Sequence, residues 1–120
     1  MAISGNVSKQ TYPQGEHARA ATSSLVYTGK LAADGKEWPM GLIVVKASAN
    51  ANWAPLSGTP DEGALLGVLD ERMDTAASTA ALIVQFGAVK AASLKIGVAA
   101  PVAAGADIIF LLAQQKIFAV

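Results

Sequence analysis

The sequence predicts a mainly β domain with one C-terminal helix and an extended N-terminal arm. Three observations carry this reading. Short apolar runs rich in Val, Ile and Leu recur from Leu25 onward, separated by stretches bearing Gly, Pro and Asp. Residues 1–24 lack such runs and are rich in Ser, Gln, Thr, Gly and Lys. After Pro101, Ile108, Leu111 and Leu112 take the i, i+3, i+4 spacing of one helix face. The expected organisation is a flexible arm over residues 1–24 and one β-rich domain over residues 25–120.

Within the arm, Pro13 and Gly15 break any local helix. The stretch SLVYTGKLAA supports a strand up to Leu31, because its β-branched and aromatic residues suit a pleated surface. Asp34-Gly35 then supplies a tight turn, and Pro39 holds Trp38 out of the helical region. GLIVVKAS is the clearest strand. Leu42 and Val44 point one way, Ile43 and Val45 the other, so both faces are apolar and both need cover.

ANANWAPLSG reads as a loop and a short return strand, and GTPDEG as a turn. GALLGVLD is the next strand, and Gly67 in its middle predicts a bulge or tight bend. ERMDTAAST is a loop. The long run from Ala80 gives a strand over Leu82–Phe86, a bend at Gly87 and a continuation toward Leu94. The helix is expected near Val102–Gln115, with Asp107 early and Lys116 late, both favourable to its dipole. KIFAV closes the chain as a last strand or extended tail.

The chain is 120 residues long and 52% hydrophobic. A single small core cannot hide that much apolar surface, so burial between subunits is expected. Leu42, Ile43, Val44, Val45, Leu66, Val68 and Ile83 are the residues assigned to the core and to subunit packing.

Nine basic residues balance nine acidic ones, scattered singly. No basic run is present to engage a phosphate backbone, which argues against nucleic acid as a partner. Cysteine is absent, which excludes disulfides and thiolate zinc sites. The polar N-terminus carries no secretory apolar region. The most apolar long window, Val98–Ala113, is interrupted by Pro101, Gly105 and Asp107. The expectation is a soluble protein, made in a cytoplasm, with no membrane partner.

The search for reactive groups points away from an enzyme. The single histidine, His17, lies in the arm, where a fixed orienting partner is not expected. No serine stands in a nucleophile elbow. Asp61, Glu62, Asp70, Glu71 and Asp74 lack calcium-loop spacing and read as turn and loop-edge acids. The single glycines form no phosphate-binding loop. No metal and no cofactor is therefore expected. Trp38 and Trp53 read as packing aromatics.

Four stretches together resemble the bacteriophage head decoration proteins: MGLIVVKASANANWAPLSG, EGALLGVLDERMDT, ALIVQFGAVKAASL and the terminal QQKIFAV. The matching patterns fall on Gly41–Lys46, Gly67–Thr75, Val84–Lys90 and Lys116-Ile117. TYPQGEHARAATSS is similar to the arm of the lambda-like members. The resemblance implies a small β-barrel or β-tulip-like domain that assembles as a homotrimer. Such trimers bind the major capsid protein on the outside of the expanded head, at local threefold axes, and hold it against internal DNA pressure.

In this reading Tyr12, Pro13, His17 and Arg19 of the arm are the expected capsid contacts. Tyr and Arg are common interface anchors, and Pro13 pre-extends the chain. Deletion of residues 2–22 is expected to leave fold and trimer intact. The alternative is a stand-alone β-barrel module for a glycan or small ligand, with Trp38 and Trp53 as stacking surfaces.

Overall fold

A computed structural model describes residues 17–20, 24–61 and 63–120. Tyr12, Pro13 and most of the expected arm lie outside these residues. The described chain is mainly β with a single α-helix. Its strands are β1 (Leu25–Lys30), β2 (Glu37–Trp38), β3 (Ile43–Lys46), β4 (Ala54–Pro55), β5 (Leu65–Leu69), β6 (Met73–Asp74), β7 (Ala80–Val89), β8 (Lys95–Ile96), β9 (Val102–Ala103) and β10 (Ile117–Ala119). The helix α1 spans Ala106–Gln114.

The main sheet runs β1-β7-β5-β3-β4, and β10 adds to the far end of β7 in parallel. Two-residue ribbons β2–β6 and β8–β9 lie outside it. The alternation expected of β3 is obeyed across the sheet. Ile43 and Val45 share one face with Leu66, Val68 and Val84; Leu42 and Val44 share the other with Leu69 and Ile83. The first face is covered by Ile108 and Leu112 of α1 together with Ile117, Val89, Leu94 and Ala18. The second wraps around Trp53, with Trp38, Leu31 and Ala81.

The sheet is not a closed barrel. Its edge strands β1 and β4 meet only at one parallel bridge, Leu31 to Trp53. There Trp53 N–H donates to Lys30 (2.9 Å) and Ala32 N–H donates to Trp53 (2.7 Å). β4 is two residues long and ends on Pro55, which has no N–H to extend a ladder.

Gly67 marks no bulge either: it keeps regular register opposite Val44. The reason for glycine is a close approach. A Cβ at Gly67 would come 2.5 Å from Ile83 Cγ2 and 3.2 Å from Trp53 Cζ3. One at Gly29 would come 2.7 Å from Trp53 Cδ1. The two glycines, on β5 and β1, are the seat of the Trp53 indole.

Gly87 does bend the chain, with φ 113, a left-handed value that favours glycine. Beyond it, β7 carries Val89 back over the first face, into the same cluster as Val84.

The helix begins at Ala106 rather than near Val102, because Val102–Ala103 pair with β8 as β9. Asp107 lies in its first turn, where a carboxylate favours the dipole; Lys116 lies past its end. Gln115, just after α1, substitutes for a strand neighbour. Its Oε1 accepts from Leu66 N–H (2.8 Å) and its Nε2 donates to the Ala64 carbonyl (3.1 Å).

Trp38 is held by the loop before it. Its Nε1–H donates to Asp34 Oδ1 (2.9 Å), which also accepts from Lys36 N–H (3.0 Å). The indole N–H first, then the Lys36 N–H, lower the Asp34 carboxyl below its ordinary 3.8. A depressed folded value adds stability above the unfolded value that is lost as pH falls through the folded one. The stability advantage of the wild type over Asp34→Asn is therefore expected to shrink below about pH 3.8 in thermal melts. A gap that stays constant into acid would contradict this.

Candidate functional site

The residues singled out in the sequence fall into two groups. Leu42, Ile43, Val44, Val68 and Ile83 are fully buried and Leu66 is nearly so, all within the chain's own core. Val45 is half-buried against the helix-side cluster. These residues are therefore core within the single chain. One sheet strand with two apolar faces found cover on both sides within a single chain.

The arm residues that the structure describes do more than enter the domain. Arg19 pairs with Val89 as an antiparallel bridge. Ala20 N–H donates to the Ala88 carbonyl (2.8 Å), and the Ala18 carbonyl accepts from Lys90 N–H (2.7 Å). On its other side Ala18 N–H donates to the Asp70 carbonyl (3.0 Å). Residues 17–20 thus stitch the returning end of β7 to the end of β5, and Ala18 is wholly buried in the helix-side core. Residues 17–20 of the expected arm are hydrogen-bonded into the domain.

Asp70 is the centre of this clasp. Its side chain is 0% exposed. Oδ2 lies 3.0 Å from His17 Nδ1 and 3.5 Å from Arg19 Nε, and Oδ1 accepts from Arg19 N–H at 3.3 Å. An ionised carboxylate only accepts, so Nδ1 is the donor. Glu71 Oε2 stands 3.8 Å from the same nitrogen. A buried carboxylate needs a partner and hydrogen bonds, and here both come from residues fifty or more positions earlier.

The expectation that His17 lacks an orienting partner is corrected: Asp70 orients it. A histidine held by a carboxylate is one part of a catalytic triad. Among the described residues no hydroxyl is hydrogen-bonded to His17, and no three His, Asp or Glu residues are arranged to hold a metal ion.

His17 Nδ1 and Arg19 Nε both face Asp70. Their side chains are 22% and 38% exposed. Trp38 and Trp53 are 0% and 3% exposed. Neither presents an open ring face, which removes the stacking surfaces of the alternative reading. Asp70 itself, the key residue, was read as a loop-edge acid. The signal that could have found it is its place directly after LLGVL, where the strand's burial carries over to the next residue.

Large exposed apolar side chains lie on β1, β5, β7, β10 and the helix. Leu25 (46%) and Phe86 (47%) face each other across β1 and β7. Leu82 follows along β7, Phe118 (47%) stands on β10, and Phe110 (64%) on α1. Tyr27 and Leu65 are also half-exposed. No helix is long and apolar enough to cross a membrane among the described residues. No protein-family model matches the chain, and no curated protein or solved structure matches it.

Proposed function

We propose that this chain is a phage capsid decoration protein. It binds the outside of the expanded head as a homotrimer at local threefold axes and stabilises it against internal DNA pressure. The observation that carries the need for a partner is the exposed set Leu25, Phe86, Leu82, Phe110 and Phe118, on a chain whose core is already filled. Large exposed apolar side chains are the groups an interface would bury. The choice of capsid and the number three come from the resemblance of Gly41–Lys46, Gly67–Thr75 and Val84–Lys90 to the decoration proteins.

The clasp gives this reading a mechanical basis. Residues 1–16 precede a point that is pinned to Asp70, so their attachment on the domain is fixed. Three such segments on one trimer raise each other's effective concentration at the capsid, which offsets weak single contacts. Tyr12 and Pro13, with the exposed parts of His17 and Arg19, are the proposed capsid contacts. An extended segment can add a strand to a sheet edge, with backbone hydrogen bonds supplying affinity. The protein is then a virion component on the outer head surface.

Sedimentation equilibrium tests the assembly. The 12.2 kDa chain is expected to sediment at three times its own mass. Phe86→Glu is expected to shift it toward the single-chain mass while leaving the far-ultraviolet circular dichroism unchanged. A wild-type monomer stable at micromolar concentration would overturn the trimer.

A further inference from the structure

We infer that the open mouth of the curled sheet is a binding site for a compact oxyanion, a carboxylate or a phosphate group. The cavity there measures about 330 Å³. It is lined by Trp53, Lys30 from β1, Lys46 from β3, Gln85 from β7, and Asn50 and Asn52 from the loop between β3 and β4.

The charge of this lining is one-sided. It contains two ammonium groups and no carboxylate among the described residues. Among the described residues, the acids that form ion pairs are Asp70, Glu71 and Glu37, and none of them pairs with Lys30 or Lys46. Two like charges at one opening repel each other, and an anion between them relieves this. The three carboxamides supply N–H donors that complete a shell around oxygen atoms.

The site is also built on a fixed base. Trp53 cannot move toward the sheet, because Gly29 and Gly67 already bring the backbone into contact with it. Lys46 Nζ lies 6.0 Å from the centre of the indole ring, within the range where the ring face attracts a cation and restrains its position. The mouth of a curled β-sheet is a common location for ligand sites. An apolar ligand does not suit the polar lining, and a cation would meet both lysines. This site does not depend on the capsid reading.

The test is a nitrogen-15 NMR titration of the full chain with three probes: N-acetyl-glutamate α-amide, inorganic phosphate, and the neutral N-acetyl-glutamine α-amide. Either anion is expected to shift the side-chain amides of Asn50, Asn52 and Gln85 and the Trp53 indole N–H, saturably and more weakly as salt is raised. The anion that binds more tightly names the source, an acidic side chain or a phosphate. The neutral probe is expected to leave these signals in place. Lys46→Gln and Lys30→Gln are each expected to weaken binding about tenfold, and Lys46→Arg to retain it, with the spectrum otherwise folded. The inference is overturned if neither anion shifts these signals. It is equally overturned if the neutral probe shifts them as much, or if both lysine variants bind like the wild type.

Discussion

The double variant His17→Ala/Arg19→Ala is expected to melt on the order of 10 °C below the wild type. It keeps the backbone of residues 17–20 in place over Asp70, which is 0% exposed, but strips the carboxylate of both side-chain partners, His17 and the Arg19 guanidinium. Leaving a buried charge without its partner costs about 3–5 kcal/mol. Among the described residues, only the Arg19 N–H, at 3.3 Å, then remains bonded to it. The sign of a third substitution isolates the cause. Asp70→Asn is expected to destabilise the wild type, where it removes one side of two ion pairs. In the double variant the same change is expected to restore stability, because the orphaned charge is gone. Asp70→Asn lowering the melting temperature equally in both backgrounds would contradict the clasp.

The clasp also changes what truncation does. Deleting residues 2–22 had been expected to spare the fold. That deletion removes Ala18 from the core and breaks its bonds to Asp70 and Lys90. A cut after residue 16 spares all of these. The shorter deletion is therefore the one that separates arm function from folding.

The second large effect is at the seat of Trp53. Gly67→Val is expected to lower stability by about 1–3 kcal/mol or more through overpacking. The new side chain would meet Ile83 Cγ2 at 2.5 Å, and Ile83 is itself fully buried with no free direction to move. The effect is coupled to the indole. In the background Trp53→Leu, which shortens the side chain above the glycine, Gly67→Val is expected to cost less than it does alone. Thermal melts of the four proteins give the coupling. Costs that simply add would show that the glycine serves some other purpose.

The parts of the fold legible in the sequence were those set by local pattern. Leu42 to Val45 alternate in sequence and in space, since a strand has a period of two and both of its faces found apolar cover. Gly87 was read as a bend and has a backbone conformation that suits one. Ile108 and Leu112, one helical turn apart, are the buried face of α1.

Where the outcome depended on distant residues, local pattern misled. Gly67 looked like a bend because nothing near it in sequence shows an indole arriving from Trp53. The helix start was placed too early because Val102 and Ala103 gain a strand partner, β8, that periodicity does not reveal. The open barrel has the same origin: β4 is too short to complete a ladder with β1. The candidate site was the least legible part. HARA has no apolar rhythm, and its two charged side chains acquire meaning only through Asp70, 53 and 51 positions away. A carboxylate directly after an apolar strand and a histidine in a polar segment carry no local sign that they will meet.

The proposed decoration function is tested most directly by co-sedimentation with expanded phage heads stripped of their own decoration. The full chain and the chain lacking residues 1–16 are mixed with heads at the same salt, pelleted, and compared. The full chain is expected to pellet with the heads to a saturating occupancy, while the truncated chain, still folded and still three times its own chain mass, stays largely in the supernatant. A full-length chain that remains in the supernatant at all concentrations would contradict it.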